Sequence, residues 1–191
     1  MSEPLIPSTS EVIWLVEDDY LQADALREHL ETSFPRTARA EIIPIYSESE
    51  FLMRVQATYV QGKQPRPRLV IADVMLPWSF PGDSVAGVTP DPEVQNKNGF
   101  RNAGVRCWRN LRKYEGNERG NALTPFVYHT VLRGEEFDLG NNKDDATGYV
   151  PKDRPMEDLD AKIQEFTDLN AEWPASDKEV TDQFVADPDD A

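Results

Sequence analysis

The chain has 191 residues, 39% of them hydrophobic, which suits one well-packed domain with tails and is short for two. A net charge of −15 argues against nucleic acid or an anionic membrane as the main partner, since both are bound through basic patches. The single cysteine, Cys107, excludes an internal disulfide and a thiolate metal cluster.

No apolar run approaches the roughly 20 residues of a membrane helix, and MSEPLIPSTSE lacks the basic-then-apolar order of a signal peptide. No membrane insertion and a cytoplasmic location are therefore expected. After this polar leader, residues 1–11, Val12-Ile13-Trp14-Leu15-Val16 is a continuous apolar run ended by Glu17-Asp18-Asp19, the pattern of a strand buried on both faces. Ala23, Leu26 and Leu30 follow at helical spacing, and Phe34-Pro35 stops that helix. Ile42 to Tyr46 is a second strand, weakened by Pro44, and Ser47-Glu48-Ser49 can cap a helix carrying Phe51, Leu52, Val55 and Tyr59 on one face.

A basic, proline-containing loop, Lys63 to Arg68, leads into Leu69-Val70-Ile71-Ala72, a third buried strand ending in a lone acid, Asp73, and closed by Pro77. From Trp78 to Lys97 the chain is rich in proline, glycine and acids without periodicity, so it reads as an inserted loop. Val105, Trp108 and Leu111 restore helical spacing, and Pro125 to Val131 is a fourth strand. Arg133 to Thr147 is charged and broken by Gly134, Gly140 and Asn141-Asn142, which allows at most a short, weak helix. Gly148-Tyr149-Val150 is a fifth strand, and Met156, Leu159, Ile163 and Phe166 form the apolar face of a last helix. Residues 170–191 carry seven acids against one lysine and read as a disordered or loosely docked acidic tail.

Strand and helix alternate five times, the signature of a doubly wound α/β parallel sheet with helices on both faces. Such sheets bind ligands beyond the carboxyl ends of their strands. Glu17 and Asp18 follow the first strand, Asp73 the third, Thr130 ends the fourth, and Lys152 lies just past the fifth. With strand order 2-1-3-4-5, the first and third strands are neighbours and Glu17, Asp18 and Asp73 crowd together. Each close like-charge pair costs about 4 kcal/mol at an effective dielectric near ~20. Positive charge must sit among them. Lys152 supplies one unit, and Mg2+, which accepts one or two carboxylates plus water and a substrate phosphate, fits the rest. An acidic nucleophile, a hydroxyl and a lysine around such an ion suit phosphoryl transfer.

WLVEDD, LVIADVMLP, the strand-terminal Thr130 and GYVPKD, in this order and after the right strands, resemble the receiver domain of two-component response regulators. The resemblance covers 12–169, interrupted at 78–97, and implies a five-stranded flavodoxin-like fold. It implies that Asp73 accepts the phosphoryl group, that Asp18 binds Mg2+ directly and Glu17 mostly through water, and that the backbone carbonyl of Met75 is a further ligand. Lys152 and Thr130 would hold phosphate oxygens, Tyr149 would be the aromatic switch residue, and Asn98-Gly99 would start the third helix. The implied partners are a sensor histidine kinase or a histidine phosphotransfer protein and a downstream protein target, with a homodimer as a further form and no nucleic acid. The implied function is that of a single-domain response regulator, not an enzyme beyond its own phosphoryl transfer and autodephosphorylation.

Taken singly, these residues have ordinary readings: Asp19 caps a helix, Thr130 is a β-former, and His29 and His129 lack partners at metal-ligand spacing. Several positions depart from the family. Val131 is larger than the residue usual after the threonine, and Asp153 replaces a proline, which puts the usual cis bond in question. These features, with the insertion, favour a receiver-like module that signals without phosphorylation; the intact Asp18, Asp73, Thr130 and Lys152 favour phosphorylation. An aspartate-nucleophile phosphohydrolase would need a second aspartate at the position of Met75. Met75 and Leu132 are apolar where side chains commonly orient the attacking water. The phosphoaspartate is therefore expected to be long-lived. Following the decay of the phosphoryl adduct after removal of the phosphodonor checks this, and fast hydrolysis would overturn it.

Overall fold

A computed structural model describes residues 11–33, 40–83, 85, 87–95, 99–116 and 122–169. The leader up to Ser10, Phe34-Pro35, Asn98 and the acidic tail lie outside the described residues. Strands β1 (Val12–Val16), β2 (Glu41–Ile45), β3 (Leu69–Ala72), β4 (Phe126–Thr130) and β5 (Thr147–Pro151) form one sheet, in the order β2-β1-β3-β4-β5. All pairings are parallel. Helices α1 (Tyr20–Ser33), α2 (Glu48–Val55), α3 (Ala103–Glu115) and α4 (Met156–Leu169) connect or follow them.

The period of two along each strand assigns the two cores. Val12, Trp14, Val16, Val70, Ala72, Phe126 and Tyr128 face α2 and α3, where they meet Phe51, Val55, Val105 and Leu111. Ile13, Leu15, Leu69, Ile71 and Val127 face α1 and α4, where they meet Leu26, Leu30, Leu159 and Ile163. Both faces of the central strands are covered, which explains their unbroken apolar runs. Pro44 is tolerated because β2 is an edge strand that pairs only with β1. No helix among the described residues is long and apolar enough to cross a membrane.

Three local readings are refined. Ser47 caps α2 as expected, its Oγ accepting from the Glu50 amide at 3.3 Å, but the helix widens into a π turn over Gln56–Val60 that contains Tyr59. The segment after β4 forms two short 3-10 turns, Gly134–Phe137 and Leu139–Asn141, joined at Asp138 in the left-handed conformation. The Asn142 amide donates to the carbonyls of Phe137 and Asp138, so a side chain satisfies carbonyls that a continuous helix would have used. Gly99 belongs to a 3-10 turn, Gly99–Asn102, and α3 begins only at Ala103, so the regular helix starts later than the Asn98-Gly99 reading placed it.

One buried ion pair joins the helices on one face. Arg106 of α3 donates from Nε and Nη2 to the two carboxylate oxygens of Glu48 on α2, at 2.7 and 2.6 Å, and from Nη2 to the Gly99 carbonyl at 2.7 Å. Both residues are buried, and burial raises the Glu48 pKa against the pull of Arg106. Arg106→Met strands the Glu48 charge and is expected to cost about 3–5 kcal/mol. Urea unfolding of Arg106→Met and of the Glu48→Leu/Arg106→Met double variant checks this, with the double variant the more stable of the two; equal stabilities would refute the account.

Candidate functional site

At the carboxyl edge of the sheet, the ends of β1, β3, β4 and β5 bring the chemistry together. The Glu17 amide donates to Ile45 O and the Asp73 amide to Val16 O, both at 2.9 Å, so the parallel ladder continues one residue past β1 and β3 and fixes both acids side by side. The Lys152 amide donates to Thr130 O at 2.9 Å and ties the residue past β5 to the end of β4. Glu17, Asp18 and Asp73 each place a carboxylate oxygen within 4.8 Å of the others. Lys152 Nζ bridges the two buried acids, donating to Glu17 Oε2 and Asp73 Oδ2 at 2.6 Å each. Asp73 Oδ1 accepts from the Met75 amide at 3.1 Å, which orients the carboxylate.

The electrostatics follow from burial and crowding. Desolvation pushes Glu17 up to about 7 against the opposing pull of Lys152, with Asp73 and Asp18 adding to the rise. Asp18, more exposed, is also raised, first by burial and then by Asp73. Burial alone would depress the Lys152 ammonium, but Asp73 and Glu17 together outweigh it and hold its pKa above the ordinary lysine value. Three carboxylates share one ammonium. The donor set, all oxygen and with two negative charges in excess, fits a hard divalent cation.

The neighbouring residues are placed as follows. Thr130 is fully buried, and its Oγ1 accepts from the Leu132 amide at 3.4 Å. Tyr149 is half-buried, donates its hydroxyl to Leu132 O at 2.8 Å, and packs its ring edge-on to Phe137 at 5.7 Å. Leu132 belongs to the core, whereas Val131 is 61% exposed. Asp19 Oδ1 accepts from the Leu21 amide at 2.9 Å and caps α1. No peptide bond among the described residues is cis. His29 pairs with Asp160 across α1 and α4 at 2.7 Å; His129 is half-buried, and burial with Lys152 nearby lowers its pKa to about 4. The Cys107 thiol is fully buried and pushed up by desolvation, which makes it a core residue and no nucleophile.

Gly104 is the positional residue that sequence reasoning missed. Its amide donates to Val74 O at 3.0 Å, and a Cβ there would lie 2.2 Å from the Asp73 carbonyl oxygen and 2.8 Å from Val74 Cα. The start of α3 therefore rests directly on the backbone that carries Asp73. The loop beyond is anchored to α2, whose Glu48 and Ser49 amides donate to Pro77 O and Trp78 O at 3.0 and 2.8 Å.

This sheet order is that of the doubly wound, flavodoxin-like fold of receiver domains. Among solved structures, the chain resembles a response regulator receiver protein from Sinorhizobium medicae, with TM-score 0.51 and 14% identity over 85% of this chain and 96% of that one. It also resembles a receiver domain of a Francisella response regulator, with TM-score 0.50 and 14% identity over 84% and 99% of the two chains. A third likeness is the Mn2+-bound response regulator Rcp1, with TM-score 0.50 and 20% identity over 86% and 97%. No protein-family model and no curated protein matches the sequence.

Gly104→Ala tests the contact beneath Asp73. Overpacking of this kind costs about 1–3 kcal/mol, so the variant should melt lower than wild type. A melt unchanged from wild type would show that the Asp73 loop retreats freely.

Proposed function

We propose that the protein is a receiver that accepts a phosphoryl group on Asp73 from the phosphohistidine of a histidine kinase or histidine phosphotransfer protein. The observation that carries this reading is the position of Asp73, a buried carboxylate held between Lys152 Nζ and the Met75 amide and adjoining two further acids. A carboxylate oxygen of Asp73 attacks phosphorus, the P–N bond breaks, and the electron pair returns to the imidazole nitrogen, which takes up a proton. The product is an acyl phosphate on Asp73.

Asp18, Glu17, Asp73 and the Met75 carbonyl are the residues assigned to hold Mg2+, which when bound neutralises phosphoryl oxygens; the Mn2+-bound relative supports a divalent ion here. On transfer, Lys152 exchanges its contact with Asp73 for a phosphate oxygen, and Thr130 turns its hydroxyl toward another. The Thr130 hydroxyl now accepts from the Leu132 amide, and Tyr149 holds the Leu132 carbonyl. Movement of Thr130 thus perturbs the backbone that Tyr149 grips, and the surface formed by β5 and the adjoining turns changes for a downstream protein.

The second reading, an interaction module that works without phosphorylation, draws on the existing Lys152 bridge, which already satisfies Asp73 and Glu17 without an added ligand. Intact mass after incubation with Mg2+ and acetyl phosphate separates the two. A hydroxylamine-labile phosphoryl adduct in wild type and none in Asp73→Ala is the expected result. Failure to form the adduct, also with phosphorylated histidine donors, would transfer the assignment to the phosphate-independent module.

A further inference from the structure

Away from the acidic site, a cleft of about 440 Å³ opens between the start of α3, the 3-10 turn Pro92–Gln95 of the insertion, and the turns after β4. Its size is that of a small-molecule site, for which about 300–1,000 Å³ is usual. One wall is cationic, formed by Arg106 and Arg109; the facing turn contributes Glu135, Glu136 and Asp138.

Two observations point to an absent ligand. Arg106 is buried and its Nε and Nη2 are saturated, yet Nη1, also buried, has no hydrogen-bond partner. A buried donor left unmet is destabilising. The Arg109 guanidinium is fixed beside it, because Nε donates to Asn142 Oδ1 at 3.1 Å. Among the described residues the carboxylate between them is that of Glu93, 3.9 Å from Arg106 Nη1 and 3.7 Å from Arg109 Nη1, both beyond hydrogen-bonding distance. Glu93 is half exposed. It holds the place of a carboxylate without making its bonds.

A simple anion is disfavoured by the three acids opposite and by the charge of −15 on the whole chain, and a simple cation leaves Arg106 Nη1, a donor that needs an acceptor, unmet. A molecule carrying both charges meets both walls. We propose that this cleft binds a small zwitterion of the α-amino-acid class, its carboxylate on Arg106 and Arg109 and its ammonium on Glu135, since Glu136 already accepts from the Arg133 amide at 2.8 Å and pairs with Arg101. Bound there, it would clamp the insertion and the start of α3 to the turns that follow Thr130. The proposal does not rest on the reading of Asp73 as a phosphoacceptor.

Calorimetric titration of the unphosphorylated protein with the standard L-α-amino acids, and with their N-acetyl and amide derivatives, tests the assignment. At least one free amino acid should bind, with loss of either charge weakening it about tenfold or more. Arg109→Ala and Glu135→Gln, both at exposed positions, should weaken it similarly, and Glu93→Gln should bind several-fold more tightly. Absence of binding into the millimolar range, equal binding of the blocked derivatives, or affinity unchanged by Arg109→Ala would each overturn the proposal.

Discussion

The structure depends on one electrostatic constraint: two buried carboxylates on adjacent parallel strands, with a third beside them, around one ammonium. Glu17 and Asp73 are side by side because their amides continue the ladder past β1 and β3. Burial is what chiefly raises Glu17, with Asp73 and Asp18 adding to the rise, and Lys152 answers both buried acids at 2.6 Å. The arrangement is under-neutralised by construction. A divalent cation is the kind of ligand whose charge such an edge can balance, since its acids outnumber the one ammonium.

Holding that edge in place requires backbone support from residues with no chemistry of their own. Gly104 lets α3 rest on the Asp73 carbonyl, and the first amides of α2 take the carbonyls of Pro77 and Trp78. The buried Glu48–Arg106 pair then locks α2 to α3, and through Gly99 it reaches the end of the insertion. Thr130, Leu132 and Tyr149 form a second chain of contacts leading from the same edge toward Phe137 and the turns after β4. The two routes meet at the cleft where Arg106 faces Glu135 and Glu136. A ligand in that cleft would touch both.

The strands were legible because both-face burial writes itself as unbroken apolar runs, and the residues just past β1, β3, β4 and β5 then had to share one edge. Boundaries were less so. Pro44 made β2 look doubtful only because its edge position was not visible in sequence. Asn98-Gly99 looked like the helix start because polar-Gly pairs are local turn signals, whereas the tight contact falls on Gly104, whose requirement comes from a backbone some thirty residues earlier.

By itself the sequence determined the α/β alternation and which residues, Glu17, Asp18, Asp73, Thr130 and Lys152, stand at the strand ends, because period-two and helical patterns and strand-end residues are properties of near neighbours. Only the tertiary structure decided that Lys152 bridges Glu17 and Asp73, that Arg106 is buried against Glu48, and that the insertion and the turns after β4 enclose a cleft of opposed charge. Those contacts join segments tens of residues apart, and no local periodicity marks a partner that only chain folding brings within reach.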